Sequence, residues 1–369
     1  MSCRTLSVKF RLITVTVGVM ITYLWCLGLS SGAETLEPVE ARSVKSFNLK
    51  DIYLKLSGDF ILNSIRYWSQ RNLLVIFYKD KADNNAQKWA LIDPKTGDIV
   101  GKGRFPYTRF KEGCPVGDRW LLTLSWKPKI ALYLTDVNTR ETKLVYQYKP
   151  KTRGYSFTLA SPLIPAPNGA ISYVDLLDEE GYTLSLVFLK IDVMEDFKVK
   201  LMEWVRHEDI SPARKPLRFI SFNYPDSMAF LMNGKVYVYH VSQRELELIR
   251  ELSSGDKVSV LDLKGDVLVY STKESKGGKF KLVVRQLDEG RDIEFAGKFI
   301  GAQVYPSVKT IVAEAVDNRE ITFFISRDMG SNFSPIQIGT PIEGASYSYS
   351  VTDDAIIVIG KEKIFYIKL

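Results

Sequence analysis

Beyond residue 45 the chain is a succession of short apolar runs separated by turn residues. The clearest are Leu73–Tyr78 (LLVIFY), Leu121–Ser125, Ile130–Leu134, Leu184–Leu189, Lys235–Tyr239 (KVYVY), Asp266–Tyr270 (DVLVY), Lys281–Val284 and Ala355–Ile359 (AIIVI). Their shortness and their enrichment in Val, Ile, Phe and Tyr predict strands, and no interior segment sustains a helical period for three turns. The best helical alternative, Asp196–Ile210, opens with DFKVKL, which alternates and fits a strand equally well.

The strands come in groups. A hairpin that ends in an Asp or polar turn recurs at Asp93-Pro-Lys-Thr-Gly97, Asp136-Val-Asn-Thr-Arg140, Asp192-Val-Met-Glu-Asp196, Val241-Ser-Gln-Arg244 and Asp288-Glu-Gly290, with successive starts 43, 56, 49 and 47 residues apart. A further turn begins at Ser326, 38 residues on. Periods of about 40–50 residues with four strands each mark propeller blades. The final segment, Tyr347–Leu369, holds only three strands, and Phe47–Leu56 (FNLKDIYLKL) reads as one strand without a hairpin partner. The expected fold is therefore all-β: a single β-propeller of about seven four-stranded blades, its ring closed by the N-terminal strand pairing with the last blade. Paired β-sandwiches are the alternative.

The start of the chain has a different pattern. Arg4, Lys9 and Arg11 precede Leu12–Leu29, which runs 18 residues without a charge, and Ser30-Ser31-Gly32-Ala33 follows. A basic start, an apolar middle and a small-residue exit predict a secretory signal peptide over 1–33, or an uncleaved membrane anchor of the same extent. The layout is then 1–33 signal, 34–45 linker and 46–369 propeller, with an extracytoplasmic address, periplasmic or secreted. Cys26 lacks the small residues before it that a lipoprotein site requires. Removing the segment takes 3 of the 50 basic residues, so against 43 acids the remainder carries only +4. Cys3 and Cys26 leave with it, and Cys114 alone cannot form an intrachain disulfide.

One turn carries more information than the others. Ser326-Arg-Asp328-Met-Gly330-Ser-Asn-Phe333 follows Ile321–Ile325, with an Asp placed to cap backbone N–H groups, a Gly suited to positive φ and an aromatic ring that can pack back on the blade. Its S-x-D-x-G-x-x-[W/F] spacing resembles the Asp box of sialidase-like secreted propellers, with Phe333 where Trp is more usual. The resemblance implies a structural turn for Ser326, Asp328, Gly330 and Phe333. Asp93-Pro-Lys-Thr-Gly97 after Trp89-Ala-Leu-Ile is similar to turns of quinoprotein-like and other bacterial periplasmic propellers. These likenesses specify blades and no activity.

Chemistry is sparse in the sequence. No GxSxG, HExxH, CxxC or phosphate-loop pattern occurs, and the Arg-Ile-Pro element expected of a sialidase is absent. His207 and His240 are isolated. Asp175-Leu-Leu-Asp178-Glu-Glu180-Gly181 reads as an acidic hairpin turn without EF-hand spacing. No catalytic, cofactor-binding or metal-binding residue is expected. One asymmetry stands out: Lys102–Tyr155 holds 12 basic residues against four acids, a local +8, interleaved with nine aromatic rings. Alternation alone would bury the rings and scatter the charges. Gathered on one sector, Lys102, Arg104, Tyr107, Arg109, Lys111, Lys149, Lys151 and Arg153 would form a basic, aromatic patch for an anionic partner. The address argues against nucleic acid, and any membrane contact would run through the N-terminal segment.

The function expected from the residues is a non-enzymatic binding or scaffold propeller in the cell envelope, engaging a protein or anionic ligand. An extracytoplasmic carbohydrate-active (glycosidase-like) or redox enzyme on the same fold is the alternative. Mass spectrometry of the exported protein should find a new N-terminus at Glu34. An intact Met1 with membrane retention would instead identify an anchor.

Overall fold

A strand whose two faces are both apolar must be covered on both, and the middle strands of this protein are of that kind. In Leu73–Asp80 six of eight residues are buried, and in Ala86–Ile92 six of seven, whereas the following strand Ile99–Arg104 alternates half-buried and exposed positions. Each sheet thus has a doubly covered middle and a half-solvated outer strand, which is the pattern of a propeller blade. The computed structural model describes residues 38–369 apart from 57–58, 127–129, 150, 159–160, 214, 255, 275–277, 279, 306–308, 318–319, 339–341, 344–347, 352–354 and 361. The leader expected over 1–33, and Lys127 and Lys129 of the basic stretch, lie outside the described residues.

The fold is all-β and has seven blades arranged as a β-propeller. Its contacts divide the chain into two compact units. The larger comprises Ala41–Leu252, Arg319–Ile321 and Ile338–Leu369. Its first two sheets are meanders of four strands: Phe60–Trp68, Leu73–Asp80, Ala86–Ile92 and Ile99–Arg104, then Phe110–Val116, Trp120–Ser125, Ala131–Asp136 and Thr142–Gln147. In the third, Gly154–Ser156 and Ile164–Ala166 both pair with Gly169–Leu177, followed by Thr183–Met194 and Lys198–Arg206. The fourth runs Arg218–Asn223, Ser227–Met232, Lys235–His240 and Glu245–Glu251. The smaller unit holds the sheet Lys257–Lys264, Val267–Lys273, Phe280–Gln286 and Arg291–Ala296. It also holds one built on Phe299–Tyr305, Thr310–Asp317, Glu320–Ser326 from Thr322 on, and Ser334–Gln337, to which Val39–Glu40 adds in parallel.

The last sheet, in the larger unit, is Ser348–Val351, Ala355–Ile359 and Lys363–Lys368, and its fourth strand comes from the N-terminal side. Ser43–Asn48 lies antiparallel to Lys363–Lys368, with Phe47 opposite Ile364. The expected pairing is present, but its strand is shifted. Val39–Glu40 and the first half of Ser43–Asn48 occupy the stretch expected as linker, and Leu49–Leu56, expected to continue the strand from Phe47, is a helix. The reason is spacing: Leu49, Ile52 and Leu56 fall on one helical face, and the first two are 2% exposed in a core shared by the last and first sheets. The Asn48 amide donates to Asp51 at 3.2 Å across the first turn. Asp196–Ile210 resolves as a turn, the strand Lys198–Arg206 and the one-turn helix His207–Ile210. Asp192 is not a turn residue as expected: the strand runs on to Met194, and the turn follows at 195–197.

Neighbouring sheets share cores. Trp68, Phe77 and Trp89 of the first sheet pack with Leu121 of the second and with Phe105 and Tyr107 between them. Leu74 and Ile76, on the opposite face of the same strand, pack with Ile357, Ile359 and Ile364 of the last sheet. Phe47 lies on the first sheet's turn at Gly97, whose φ is +73°; a Cβ there would stand 2.7 Å from the Phe47 ring. Truncation of residues 38–48 should therefore open the edge of Lys363–Lys368 and uncover this contact together, so that cooperative thermal unfolding followed by circular dichroism is lost. A truncated chain melting like the intact one would contradict the closure.

The Ser326–Phe333 turn explains its own sequence. The Ser326 hydroxyl donates to Asp328 Oδ1 at 2.6 Å and accepts from the Gly330 N–H at 2.7 Å. Asp328 also accepts from the Asn332 backbone N–H at 3.0 Å and from its side-chain amide at 2.9 Å. Gly330, at φ +93°, lies where a Cβ would meet Val284 at 2.6 Å, and Phe333 packs edge-on to Phe295 at 4.6 Å. Burial pushes the Asp328 carboxyl up, but the hydrogen bonds from Ser326 and Asn332 outweigh it and hold the group below the ordinary aspartate value. Asp328→Ala should lower stability by about 1 kcal/mol in urea unfolding at pH 7. Because the folded carboxyl titrates below the unfolded one, this contribution is complete above about pH 4 and fades below it, so the two proteins should converge in acid.

Candidate functional site

Strand direction decides which loops meet. In a four-stranded meander the first and third strands run one way and the second and fourth the other. Connections between blades and second-to-third hairpins therefore share one end, and the remaining hairpins the opposite end. The connections 105–109 and 148–153 of the larger unit lie at the same end of their sheets, and they carry most of the basic residues expected to meet a partner.

The structure separates those residues into three kinds. Arg109, Lys149, Lys151 and Arg153 are exposed on the two connections and have no ion-pair partner among the described residues. Lys102 and Arg104 stand exposed on the outer strand leading into the first connection; Arg104 pairs with Asp83 at 3.5 Å. Tyr107 is corrected. It is 6% exposed, stacked on Phe105 with ring centroids 5.1 Å apart and tilted against Tyr133 at 4.6 Å, so it is core rather than patch. Lys111 is drawn inward as well: its Nζ is shielded from solvent, and burial pulls its pKa down to about 8 against the opposing pull of Glu112. The register of its strand shifts between Phe110 and Glu112, and the bulged residue is Lys111 itself.

Other basic residues of the stretch are consumed in the fold. Arg119 donates from Nε and Nη2 to Asp136 Oδ2 at 2.8 and 2.6 Å, and Lys143 pairs with Glu141 at 3.1 Å. Asp136 is fully buried, and its Oδ1 accepts from the N–H groups of Asn138 and Thr139. Burial raises its pKa, while the Arg119 bond and the two turn N–H groups lower it further, leaving a carboxylate below its ordinary value.

The remaining singled-out groups have structural partners. His207 is 2% exposed; its Nε2 faces the Lys215 carbonyl at 2.9 Å and its Nδ1 the Tyr173 hydroxyl at 3.0 Å. A ring nitrogen facing a carbonyl must carry the proton, so Nε2–H donates to Lys215. His240 Nε2 lies 3.1 Å from Glu247 across the sheet. Asp178 Oδ1 accepts from the N–H groups of Glu180 and Tyr182, which makes it the organiser of its hairpin. Cys114 is buried, and burial pushes its thiol up to about 12, far from a reactive thiolate. Among the described residues no group of three His, Cys, Asp or Glu side chains could hold a metal ion. A cleft at the opposite end of the second and third sheets brings Arg119 to Phe197 and Lys143, a juxtaposition with no signal in the sequence.

No protein-family model matches the chain, and no curated protein matches it. Solved structures do. An oligogalacturonate lyase in complex with manganese aligns with a TM-score of 0.57 at 10% identity, covering 90% of this chain and 98% of that one. A prolyl endopeptidase aligns with a TM-score of 0.53 at 12% identity, over 81% of this chain and 45% of that one, so the chain spans less than half of that protein. The Dos1 propeller aligns at 11% identity over 84% of this chain and 78% of its own, with a TM-score of 0.48. At these identities the first two likenesses establish the fold and leave the function to this chain's own residues.

Proposed function

We propose that this chain is a non-enzymatic binding propeller of the extracytoplasmic space, whose anionic partner docks where the first two interblade connections emerge. One observation carries the reading: Arg109, Lys149, Lys151 and Arg153 are exposed without an ion-pair partner among the described residues, while Arg104, Arg119 and Lys143 of the same stretch are paired. Paired surface charges are locally neutralised and add little to a long-range field, whereas four cations without an ion-pair partner contribute a positive potential at one end of the first two sheets, with the acidic hairpin 178–181 of the third sheet beside the second connection. The loops that carry them are held by packed strands, so the charges are presented on a rigid base. Export is supported by the basic, apolar and small-residue order of residues 1–33. The Ser326–Phe333 turn keeps its likeness to secreted Asp-box propellers, and a bacterial envelope is the setting that suits both.

Retention on immobilised heparin, used as a polyanion probe, tests the surface. The quadruple reversal R109E/K149E/K151E/R153E should elute at markedly lower salt, since exposed charges are screened over about 8 Å at physiological ionic strength. Its melting temperature should stay nearly unchanged, because exposed substitutions shift stability by about 0.5 kcal/mol or less. Elution at the wild-type salt concentration would refute the reading.

A further inference from the structure

The ends of the second and third sheets away from the basic connections form a different surface. There a cleft of ≈ 290 Å³ is lined by Arg119, Trp120, Lys143, Glu195, Asp196 and Phe197. Three local structures build it. Arg119 and Trp120 leave the first hairpin of the second sheet, Lys143 sits at the start of that sheet's fourth strand, and residues 195–197 form the last turn of the third sheet. The Trp120 and Phe197 rings meet edge to face with centroids 5.0 Å apart and planes at 72°. Asp196 and Phe197 hold φ values of +59° and +58°, a conformation bulky side chains seldom adopt, and the turn thereby turns the Phe197 ring toward Trp120.

Charge accounting decides what this cleft would hold. The Arg119 guanidinium lies 4.6 Å from the centre of the Trp120 ring and is neutralised by buried Asp136. The Lys143 ammonium lies 4.3 Å from the centre of the Phe197 ring and is paired with Glu141. Both cations are thus compensated within the chain. Glu195 and Asp196 are exposed and make no close ion pair among the described residues, although Glu195 is near enough to Arg119 to help hold its charge. What is left over is two carboxylates beside two aromatic rings, each of which already attracts a cation. An aromatic face with neighbouring carboxylates binds an ammonium or guanidinium group, through the ring quadrupole and through Coulomb attraction.

We propose that this cleft is a receptor for a cationic side chain, the ammonium or guanidinium of a Lys or Arg on a partner polypeptide, and that Lys143 is its resident occupant, displaced from Phe197 when the ligand enters. The chemistry is the reverse of that on the basic connections, and the site stands independently of the partner proposed there. The chain is titrated with Nα-acetyl-arginine amide, and the Trp120 indole resonance is followed by NMR, assigned through its loss in W120F. Saturable binding with a dissociation constant on the order of 1 mM is expected, and the neutral isostere Nα-acetyl-citrulline amide should bind about tenfold more weakly or worse. E195Q/D196N should weaken the arginine probe by about tenfold with an unchanged melting temperature, since both residues are exposed. K143M should tighten it by about threefold or more, because it removes the competing cation. Four results would each overturn the proposal: no saturation by about 20 mM, equal binding of the citrulline probe, indifference to E195Q/D196N, or K143M binding no more tightly than the natural chain.

Discussion

A strand with two apolar faces cannot be satisfied inside its own sheet, and everything else in this protein follows from that. Leu73–Asp80 shows it directly. Leu74 and Ile76 belong to the core shared with the last sheet, while Val75 and Phe77 belong to the core shared with the second. Each of these side chains contributes about 1.5–3 kcal/mol when taken out of water, so a blade standing alone would forfeit half of what holds its centre together. The same demand makes the N-terminal strand structural. Ser43–Asn48 completes the sheet whose Ile357 and Ile364 cover the first blade, and Phe47 continues that cover onto the Gly97 turn.

Between the apolar strands, one small polar device recurs. An Asp at the end of a strand turns its side chain onto the backbone N–H groups that follow: Asp80 onto Ala82 and Asp83, Asp93 onto Lys95, Asp136 onto Asn138 and Thr139, Asp178 onto Glu180 and Tyr182, Asp328 onto Asn332. The amide donors that a hairpin leaves unpaired are thereby satisfied within a few residues, and the turn needs no support from elsewhere. Among the described residues, no three His, Cys, Asp or Glu side chains gather into a group that could hold a metal ion.

The two ends of the second and third sheets carry contrasting chemistry through the same economy of pairing. Where Asp136 and Glu141 meet Arg119 and Lys143, both cations lining the cleft are paired, and the cleft's unpaired lining charges, Glu195 and Asp196, are negative. Where the connections cross between blades, Arg109, Lys149, Lys151 and Arg153 have no ion-pair partner among the described residues, although the acidic hairpin 178–181 of the third sheet lies at the same end. A net charge summed along the sequence contains neither fact, because it adds paired and unpaired groups alike.

Strand positions, the spacing of the turns, the blade count and the need for an N-terminal partner strand were legible in the sequence, because each depends on periodicity over a few residues or on counting strands per repeat. The order Ser326, Asp328, Gly330, Phe333 was legible for the same reason: its hydrogen bonds close within eight residues. Leu49–Leu56 was misread because its apolar positions satisfy both periods in so short a segment, and the packing of Leu49 and Ile52 against the last and first sheets selected the helix. Tyr107 and Lys111 fell within a basic, aromatic stretch, yet one ring entered the core and one amine was turned inward by a bulge. The cleft of Trp120, Lys143 and Phe197 had no trace in the sequence at all. Local hydrogen bonds and alternation act between near neighbours and can be read along the chain, whereas which charges are neutralised depends on how strands pair within a blade and which rings meet depends on the placement of one blade against the next.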